Sequence, residues 1–250
     1  MEPVLYAECD GVAHVTLNRP ERLNAINAAL ASGLVDALRR AVRSSSAEVI
    51  VLAGAGRAFC AGDDLDEFSA GGVDAAGAEA FIGALQDATR VIMLGPKPVI
   101  CAVQGWAVGG GAAWPLNADF CLAAQDAVMF CPEASHGLFP TGGATVLLAE
   151  RAGPALANRV LWLGERLGAD QLLAAGIASA VVPVATLMDE AAALARRLMA
   201  LPAASRRRLK VARAADLADR LERAMALETR YCLEAAFDAE ARERVAATRS

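Results

Sequence analysis

The sequence has no excess of positive charge and no long apolar run, and each shortage argues against a class of partner. Its 24 Lys and Arg residues are outnumbered by 29 Asp and Glu residues, which gives a net charge of −5. Binding to a nucleic-acid backbone requires the opposite balance. Glycine, proline or charged residues interrupt the longest apolar stretches well before the roughly 20 residues of a membrane helix. We therefore expect neither nucleic acid nor a membrane as a partner.

Histidine is also scarce, and cysteine occurs without the spacing of a metal site. The chain has two histidines and six cysteines, with no C-x-x-C pair. A structural zinc site needs such pairs or paired histidines. Most of the cysteines lie in apolar runs, as free buried thiols do in a reducing cytoplasm. The N-terminus lacks the basic and then apolar layout of a signal peptide. These features predict a cytoplasmic protein without a metal.

The abundant residues are apolar, and their spacing predicts an α/β fold. Hydrophobic residues make up 56% of the 250-residue chain, as expected of a well-buried globular protein. Strand-like runs at 4–7 and 12–17 flank a turn at Asp10-Gly11. A helical spacing of leucines follows from Asn27, which is placed to cap it, and an apolar strand at 48–53 comes next. This order of strand, helix and strand is typical of parallel strands that are buried on both faces.

Two glycine turns follow predicted strands within one α/β unit. Three consecutive glycines at 109–111 come after the apolar run 99–103, and Gly62 ends another strand-like segment. Glycines let a backbone approach a ligand closely with its N–H groups pointing at it, although an ordinary loop between a buried strand and a helix explains the same pattern. A dinucleotide-binding loop at 54–56 is disfavoured, because the third glycine and the acidic residue of that motif are absent. If the two turns face each other, their N–H groups hold one oxygen atom between them.

The C-terminal part of the chain differs from the rest, because its pattern is helical to the end and rich in Ala, Leu, Arg and Glu. We therefore predict an α/β core at 1–185 and a C-terminal helical region at 186–250, whose helices we expect to pack on a neighbour. Upstream, a segment rich in Gly and Ala at 70–77 predicts a mobile loop before a helix at 78–94. One cationic cluster lies in the helical region, and we interpret it as a solvated helix face; it consists of Arg206, Arg207, Arg208 and Lys210.

Short motifs are spread along the chain in a distinctive order. They are Asn18-Arg19-Pro20 with Leu23-Asn24-Ala25, the segment AFCAGDDL at 58–65, the segment QGWAVGGG at 104–111, Ala118-Asp119, Pro132-Glu133 and Leu167-Gly168-Ala169-Asp170. In this order and spacing they resemble the crotonase superfamily, also called the enoyl-CoA hydratase/isomerase family. Each motif alone is weak, but the resemblance covers nearly the whole chain.

This resemblance implies a fold, an assembly and a substrate class. The fold is α/β, a crotonase-like spiral of ββα repeats in two roughly perpendicular sheets, with a C-terminal helical trimerisation region. The assembly is a homotrimer or a dimer of trimers. The substrate is an acyl-CoA thioester, in which coenzyme A is part of the substrate, and no separate cofactor is implied.

The resemblance also implies catalytic roles for three residues. The backbone N–H groups of Asp63 and Gly110 form an oxyanion hole that binds the thioester oxygen as an enolate develops, and Glu133 moves the proton. The side chain at position 63 matters little to a backbone donor, although a carboxylate adds negative charge near the oxyanion unless it turns away. Candidate substrate-binding residues around these groups are Arg22, Ala61, Leu65, Gly109, Ala113, Trp114, His136 and Thr141.

Some of these candidates carry a more specific expectation. Arg22 lies in a loop that often meets the CoA phosphates in relatives, and Trp114 is expected to reshape the acyl pocket. Thr141 is placed to hold a water. His136 follows Glu133 by three residues, so it either contacts the same pocket or packs in the turn.

Position 113 departs from the family's hydratases. These enzymes carry two glutamates, and the positions that match them here are Ala113 and Glu133. Hydration of a double bond uses both carboxylates to hold and activate a water, whereas a 1,3-proton shift needs one base. Other members place an acid eight residues beyond the second glutamate, where this chain has Thr141. We therefore expect enoyl-CoA double-bond isomerisation. The alternatives are a hydratase or dehydratase with an altered substrate, and a catalytically silent member that binds CoA esters.

Overall fold

The computed structural model describes residues 2–66 and 74–247, in which strands and helices alternate as the sequence predicts. Its strands are β1 (Val4–Cys9), β2 (Val12–Leu17), β3 (Val49–Gly54), β4 (Val99–Val103), β5 (Trp106–Val108), β6 (Phe120–Ala124), β7 (Val128–Phe130), β8 (Leu167–Gly168) and β9 (Ala180–Val182). Its longer helices are α1 (Ala28–Arg43), α2 (Ala75–Leu94), α3 (Gly110–Asn117), α4 (Ala144–Ala152), α5 (Pro154–Leu163), α6 (Ala169–Ala174), α7 (Leu187–Met199), α8 (Ala203–Ala236) and α9 (Ala239–Ala247). Short 3-10 helices lie at Pro20–Arg22, Glu133–His136 and Val184–Thr186. The predicted α/β class is confirmed.

A six-stranded sheet forms the centre of the described structure, in the order β1-β2-β3-β4-β6-β9. β1 and β2 form the predicted antiparallel hairpin, and each of the other neighbouring pairs is parallel. Side chains of β3 alternate between two buried faces, as the pleat of a strand requires. Ile50 and Leu52 pack in the cluster that includes α1 and α2, whereas Val49 and Val51 pack with α7. Helices therefore cover both faces of the sheet.

A second sheet of three strands, in the order β5-β7-β8, adjoins the glycine turns. β5 pairs in parallel with β7, which pairs antiparallel with β8. Isolated bridges join Cys60 to Ala107 and Ile26 to Asp63. The segment that contains Gly62 therefore runs beside β5, and the chain passes from the end of β5 directly into the glycine triplet.

Side-chain caps determine where two helices begin. The side chain of Asn27 caps α1, as predicted, by accepting the Leu30 N–H at 2.9 Å. α2 begins at Ala75 rather than at the predicted residue 78, because Asp74 accepts the Gly77 N–H at 2.8 Å. Residues 75–77 of the predicted loop are therefore helical, and its residues 70–73 lie outside the described residues.

The C-terminal helices pack against the α/β core. On α8, Leu221 and Met225 form a buried cluster with Met93 of α2 and Leu147 of α4. The predicted boundary at 185/186 falls within the 3-10 helix Val184–Thr186, and the division into two regions stays a prediction. Within residues 2–66 and 74–247, no helix combines the length and the apolar character of a membrane span.

The interpretation of the cationic cluster as a solvated helix face is wrong for two of its members. Arg206 and Lys210 lie one turn apart on α8 and are buried, whereas the two arginines between them are exposed. Arg206 forms an ion pair with Glu48, and Lys210 Nζ donates to Asp119 Oδ2 at 2.6 Å. A spacing of four residues places both cations on the helix face toward the core, where these partners offset their desolvation.

Candidate active site

The two glycine turns face each other. The N–H of Ile26 donates to the carbonyl of Gly62 at 2.8 Å, and the N–H of Asp64 donates to the carbonyl of Ile26 at 2.9 Å. Because Ile26 bonds on both sides of Asp63, the N–H of Asp63 itself points away from Ile26. Gly110 is the first residue of α3, where a backbone N–H has no acceptor within the helix. A Cβ on Gly110 would lie 3.4 Å from Asp63 Oδ1, so the two residues border one small space.

Close approach explains why glycines occupy this turn. Gly109 has a φ of +54°, and a Cβ on it would lie 2.7 Å from Glu133 Oε1. A Cβ on Gly111 would lie 2.6 Å from Cys60 Sγ. A side chain at either position would displace the carboxylate or the neighbouring segment. The functional interpretation of the glycines thus gains support over that of an ordinary loop, because the residue against Gly109 is the predicted proton carrier.

The carboxyl group of Glu133 has one buried oxygen, although the residue as a whole is half-buried. The residue begins the 3-10 helix that follows β7, and its Oε1 lies against Gly109. Its Oε2 is buried, with no hydrogen-bond partner in the described part of the chain. Burial, and to a smaller extent the charge of Asp63, raises the pKa of Glu133 to about 8. A carboxyl group that titrates near neutrality is suited to accept and donate protons.

The side chain of Asp63 turns toward the glycine triplet rather than away from it. Its Oδ1 is buried without a hydrogen-bond partner among the described residues and lies close to Gly110. Burial raises the pKa of Asp63 to about 6. The carboxyl group therefore does not turn away from the turn that carries the predicted oxyanion hole.

An apolar cavity of about 250 Å³ opens beside Asp63. Its described lining is mostly apolar and comes from α2, the 138–141 segment and α8; it includes Ile26, Phe81, Ile82, Leu85, Leu138, Phe139 and Ala236. Asp63 and Thr141 contribute polar groups to the same wall. An apolar cavity with a few polar groups is typical of a small-molecule site. Phe81 and Leu85 lie on the helix predicted at 78–94, but apolar periodicity alone does not separate a cavity wall from a core.

A second cavity, of about 350 Å³, opens on the other side of Asp63. Its lining brings together three predicted substrate-binding residues, Arg22, Ala61 and Leu65, and adds Arg57. The guanidinium of Arg22 donates to Asp64 Oδ1 at 3.1 Å and also pairs with Asp66. The same lining holds four acidic residues, Glu21, Asp63, Asp64 and Asp66, so this cavity carries both cationic and acidic side chains.

The loop at 141–143 packs against Gly110 and against Ala113 on α3. Thr141 Oγ1 would lie 3.6 Å from a Cβ on Gly110, and a Cβ on Gly142 would lie 2.6 Å from the Cβ of Ala113. The N–H of Gly142 donates to Gln86 Oε1 at 3.1 Å. Ala113, where a second glutamate would stand, is therefore packed against backbone rather than open to either cavity.

Glu228 on α8 holds the same loop in place, although no motif in the sequence predicted this role. Its buried carboxylate accepts the N–H of Gly143 at 2.8 Å and the N–H of Thr145 at 3.1 Å. Burial raises the pKa of Glu228, although these hydrogen bonds oppose the shift. The residue lies more than 80 positions along the chain from the loop it binds, so no local motif pointed to it.

Four of the predicted substrate-binding residues line neither cavity: Gly109, Ala113, Trp114 and His136. The indole of Trp114 is buried in the core and packs edge-on to the ring of Phe59, with ring centroids 6.4 Å apart. His136 is half-buried at the end of the 3-10 helix that begins with Glu133. Trp114 thus stabilises the base of α3, and His136 packs in the turn.

Groups that bind metal ions are not concentrated in this site. Among the residues that the structure describes, no group of three or more His, Cys, Asp or Glu side chains is arranged to hold a metal ion. The donors near the glycine triplet are instead backbone N–H groups and two carboxyl groups. Backbone N–H groups stabilise an oxygen atom that becomes negatively charged, and a carboxyl group accepts a proton from a carbon atom.

Known proteins resemble this chain over nearly its whole length. The Enoyl-CoA hydratase/isomerase family model matches residues 7–247. The 1,2-epoxyphenylacetyl-CoA isomerase of Escherichia coli (strain K12) is 36% identical over 252 aligned residues, which cover 99% of this chain and 95% of that protein. A probable enoyl-CoA hydratase of Rhodobacter capsulatus is 36% identical, with coverage of 98% and 93%.

Solved structures show the same likeness in three dimensions. The crystal structure of an enoyl-CoA hydratase from Mycobacterium avium subsp. paratuberculosis K-10 superposes with a TM-score of 0.89 at 30% identity, and covers 99% of this chain and 95% of that one. The chain belongs to the enoyl-CoA hydratase/isomerase family. Its fold is the crotonase fold with C-terminal helices, and it is an enzyme of the type that the family contains.

Proposed function

We propose that this enzyme moves the double bond of an enoyl-CoA through a thioester enolate, with Glu133 as a proton-transferring group. One observation carries the proposal: the Glu133 carboxyl group lies against Gly109, the residue before Gly110, and its Oε2 has no partner among the described residues. Ala113 supplies no second carboxylate at the hydratase position. Such a site is suited to proton transfer next to an oxyanion.

Binding of the thioester supplies the first part of the mechanism. The N–H groups of Asp63 and Gly110 donate to the thioester oxygen, and these bonds strengthen as negative charge develops on it. Because the donors are held by a strand bridge and a helix start, they do not have to reorient during the reaction. Donors of this kind stabilise the transition state more than the ground state.

Proton transfer supplies the second part. A proton leaves the carbon next to the thioester carbonyl, and the electron pair of the C–H bond moves into the enolate. A proton then adds to the carbon two atoms along, and the electron pair of the enolate returns to form the new C–H bond. The carboxyl group of Glu133 exchanges a proton with this system because its pKa of about 8 lets both protonation states form near neutral pH.

The two cavities suit the two halves of an acyl-CoA. The apolar cavity takes the acyl chain, and Arg57, an exposed cation of the second cavity, binds the phosphates of coenzyme A. Arg22 lies in the same cavity, but its guanidinium is already paired with Asp64 and Asp66. Asp63 borders both cavities, so a ligand that fills them passes the oxyanion hole. Coenzyme A enters as part of the substrate in this scheme.

The test compares Glu133→Gln with the wild type on 3-enoyl-CoA substrates of several chain lengths. Formation of the 2-enoyl product is followed by chromatography, and a fall in turnover of about 10²–10⁴-fold is expected. Glu150→Gln on α4 is the matched control, because Glu150 is exposed and pairs with Arg220. Wild-type turnover by Glu133→Gln would overturn the role of this residue, and a 3-hydroxyacyl product in place of the isomer would establish hydration instead.

We also propose that the protein is a homotrimer or a dimer of trimers. Trp162 and Leu163, at the end of α5, are 75% and 78% exposed. Adjacent apolar side chains with this exposure favour an interface between subunits. Analytical ultracentrifugation is expected to show three or six chains, and Trp162→Ser should shift the distribution toward monomers. A wild-type monomer at micromolar concentration would contradict the proposal.

A further inference from the structure

Unpartnered buried polar atoms point to a second chemical group in the site. In the described part of the chain four buried side-chain atoms have no hydrogen-bond partner, and two of these are carboxyl oxygens, Asp63 Oδ1 and Glu133 Oε2. A buried carboxyl oxygen without a partner is unfavourable, because it has lost its hydrogen bonds to water and gained none in exchange. Native structures retain few such atoms, and a catalytic role is one reason for their persistence.

The two carboxyl groups flank the same turn. Glu133 Oε1 lies 2.7 Å from the Cβ position of Gly109, and Asp63 Oδ1 lies 3.4 Å from that of Gly110. The two glycines are consecutive, so both carboxyl groups lie close to the proposed oxyanion hole. The charge of Asp63 also acts on Glu133, as expected of groups that share one site.

The neighbouring aspartate shows what a structural role at this turn looks like. Asp64 is buried too, but its carboxylate accepts from Arg19 at 2.9 Å and from Arg22 at 3.1 Å. The Asp63 carboxyl group borders both cavities, yet its buried Oδ1 accepts no hydrogen bond from these arginines or from another described residue. At this turn Asp64 binds two arginines, whereas Asp63 lies beside Gly110 of the proposed oxyanion hole.

We propose that Asp63 is a second catalytic carboxyl group, which takes the proton from the carbon next to the thioester while Glu133 delivers a proton two carbons along. The proposal refines the isomerase function and rests on its enolate step. Asp63 is ionised at the start and Glu133 is protonated. The C–H bond breaks, its proton forms an O–H bond on Asp63, and its electron pair moves into the enolate. Glu133 then gives up its proton as the enolate electron pair forms the new C–H bond.

Charge balance favours this division of roles. When Asp63 accepts the proton it becomes neutral at the moment when the adjacent thioester oxygen becomes negative. One unit of negative charge thus moves from Asp63 to the oxyanion hole, and no second charge accumulates beside it. If Glu133 were the base, an ionised Asp63 beside Gly110 would repel the developing enolate. After the reaction a proton passes from Asp63 to Glu133 through solvent water, and the pair returns to its starting state.

The decisive experiment measures exchange of the α-hydrogens of butyryl-CoA in D₂O by NMR. This saturated thioester undergoes only the enolate step, so the readout does not depend on isomerisation. Asp63→Asn is expected to lower the exchange rate by about 10²–10⁴-fold, whereas Glu133→Gln retains it within a few-fold. Asp36→Asn, an exposed aspartate on α1, is the matched control.

The possible outcomes separate this inference from the proposed function. Exchange that is lost in Glu133→Gln and retained in Asp63→Asn would overturn the inference, as would a wild type that does not exchange. Exchange that requires Asp63, in an enzyme that does not isomerise 3-enoyl-CoA, would overturn the proposed function and support the inference. With a 3-enoyl-CoA in D₂O, two separate carboxyl groups predict that the new C–H bond of the first-turnover product carries deuterium. Retention of the substrate's own hydrogen would contradict the inference.

Discussion

Glu228 on α8 accepts a hydrogen bond from the backbone N–H of Gly143 at 2.8 Å, and this bond ties the C-terminal helix to the loop opposite the glycine triplet. The same carboxylate accepts from the N–H and the hydroxyl of Thr145. Two residues before Gly143, Thr141 reaches the wall of the apolar cavity. The C-terminal helical region therefore shapes the candidate active site as well as covering the core.

Glu228→Ala should weaken both stability and activity. The substitution leaves buried backbone N–H groups at positions 143 and 145 without their acceptor, so we expect the free energy of unfolding to fall by about 2–4 kcal/mol. The activity should fall through displacement of Thr141. Urea unfolding and steady-state kinetics measure the two effects. Glu234→Ala is the control, because Glu234 forms an exposed i,i+4 pair that contributes about 0.5 kcal/mol or less. Equal stability of the two variants would contradict the role of Glu228.

The dependence of kcat/KM on pH should be bell-shaped. If Asp63 must be ionised and Glu133 protonated, the activity rises as the pH passes about 6 and declines as it passes about 8. Because the two groups interact, these limits belong to the pair. The test is to measure kcat/KM with the same enoyl-CoA over a range of about two pH units on either side of the maximum. A rate that keeps increasing above pH 8 would show that Glu133 acts as the base.

Glu133→Gln should stabilise the protein at alkaline pH. Its pKa is raised from 4.5 to about 8 in the folded state, so between these values the native protein binds more protons than the unfolded chain. The free energy of unfolding therefore falls as the pH rises through this window. Glutamine does not titrate, so the variant does not lose stability in this way. Its free energy of unfolding should exceed that of the wild type by roughly 1–3 kcal/mol near pH 9 and equal it near pH 4. Denaturant unfolding at the two pH values measures the difference. A constant difference between wild type and variant would contradict the raised pKa.

Ala113→Glu should not convert the enzyme into an efficient hydratase. The Cβ of Ala113 already meets the Gly142 backbone, and Thr89 and Asn117 on either side are buried. A glutamate here overpacks the core and buries a charge, so we expect a loss of stability of about 1–3 kcal/mol or more. Thermal unfolding and assay of 3-hydroxyacyl-CoA formation test both points. A well-folded variant with a large gain in hydration would show that the missing carboxylate is the limiting feature.

Lys210→Met should be much more destabilising than the same change at Arg207. The substitution leaves the partly buried Asp119 without its ion-pair partner and the carbonyl of Ile92 without its donor, so we expect stability to fall by about 2–4 kcal/mol. Arg207 lies on the exposed face of the same helix, where a substitution changes stability by about 0.5 kcal/mol or less. Chemical unfolding of both variants at neutral pH provides the comparison. Similar midpoints would restore the interpretation of the cluster as a solvated face.

Local patterns in the sequence were sufficient for the alternation of strands and helices and for the family. The hairpin at Asp10-Gly11, the cap at Asn27 and the buried strand β3 follow from turn chemistry, capping and apolar runs, which act over a few residues. The glycine triplet was correctly predicted to lie between a strand and a helix, and the family followed from the order and spacing of motifs, which are themselves properties of the sequence.

Tertiary structure decided what those patterns leave open. The direction of the Asp63 side chain depends on the bridge to Ile26, and the burial of Lys210 depends on Asp119, which is 91 positions away. The cavity wall combines α2 with α8, and Glu228 reaches a loop 85 positions away. The periodicity of a helix predicts which of its faces is apolar or charged, but it does not predict which distant residues pack against that face. The pairing of two carboxyl groups around one glycine turn therefore emerges only when distant segments pack together.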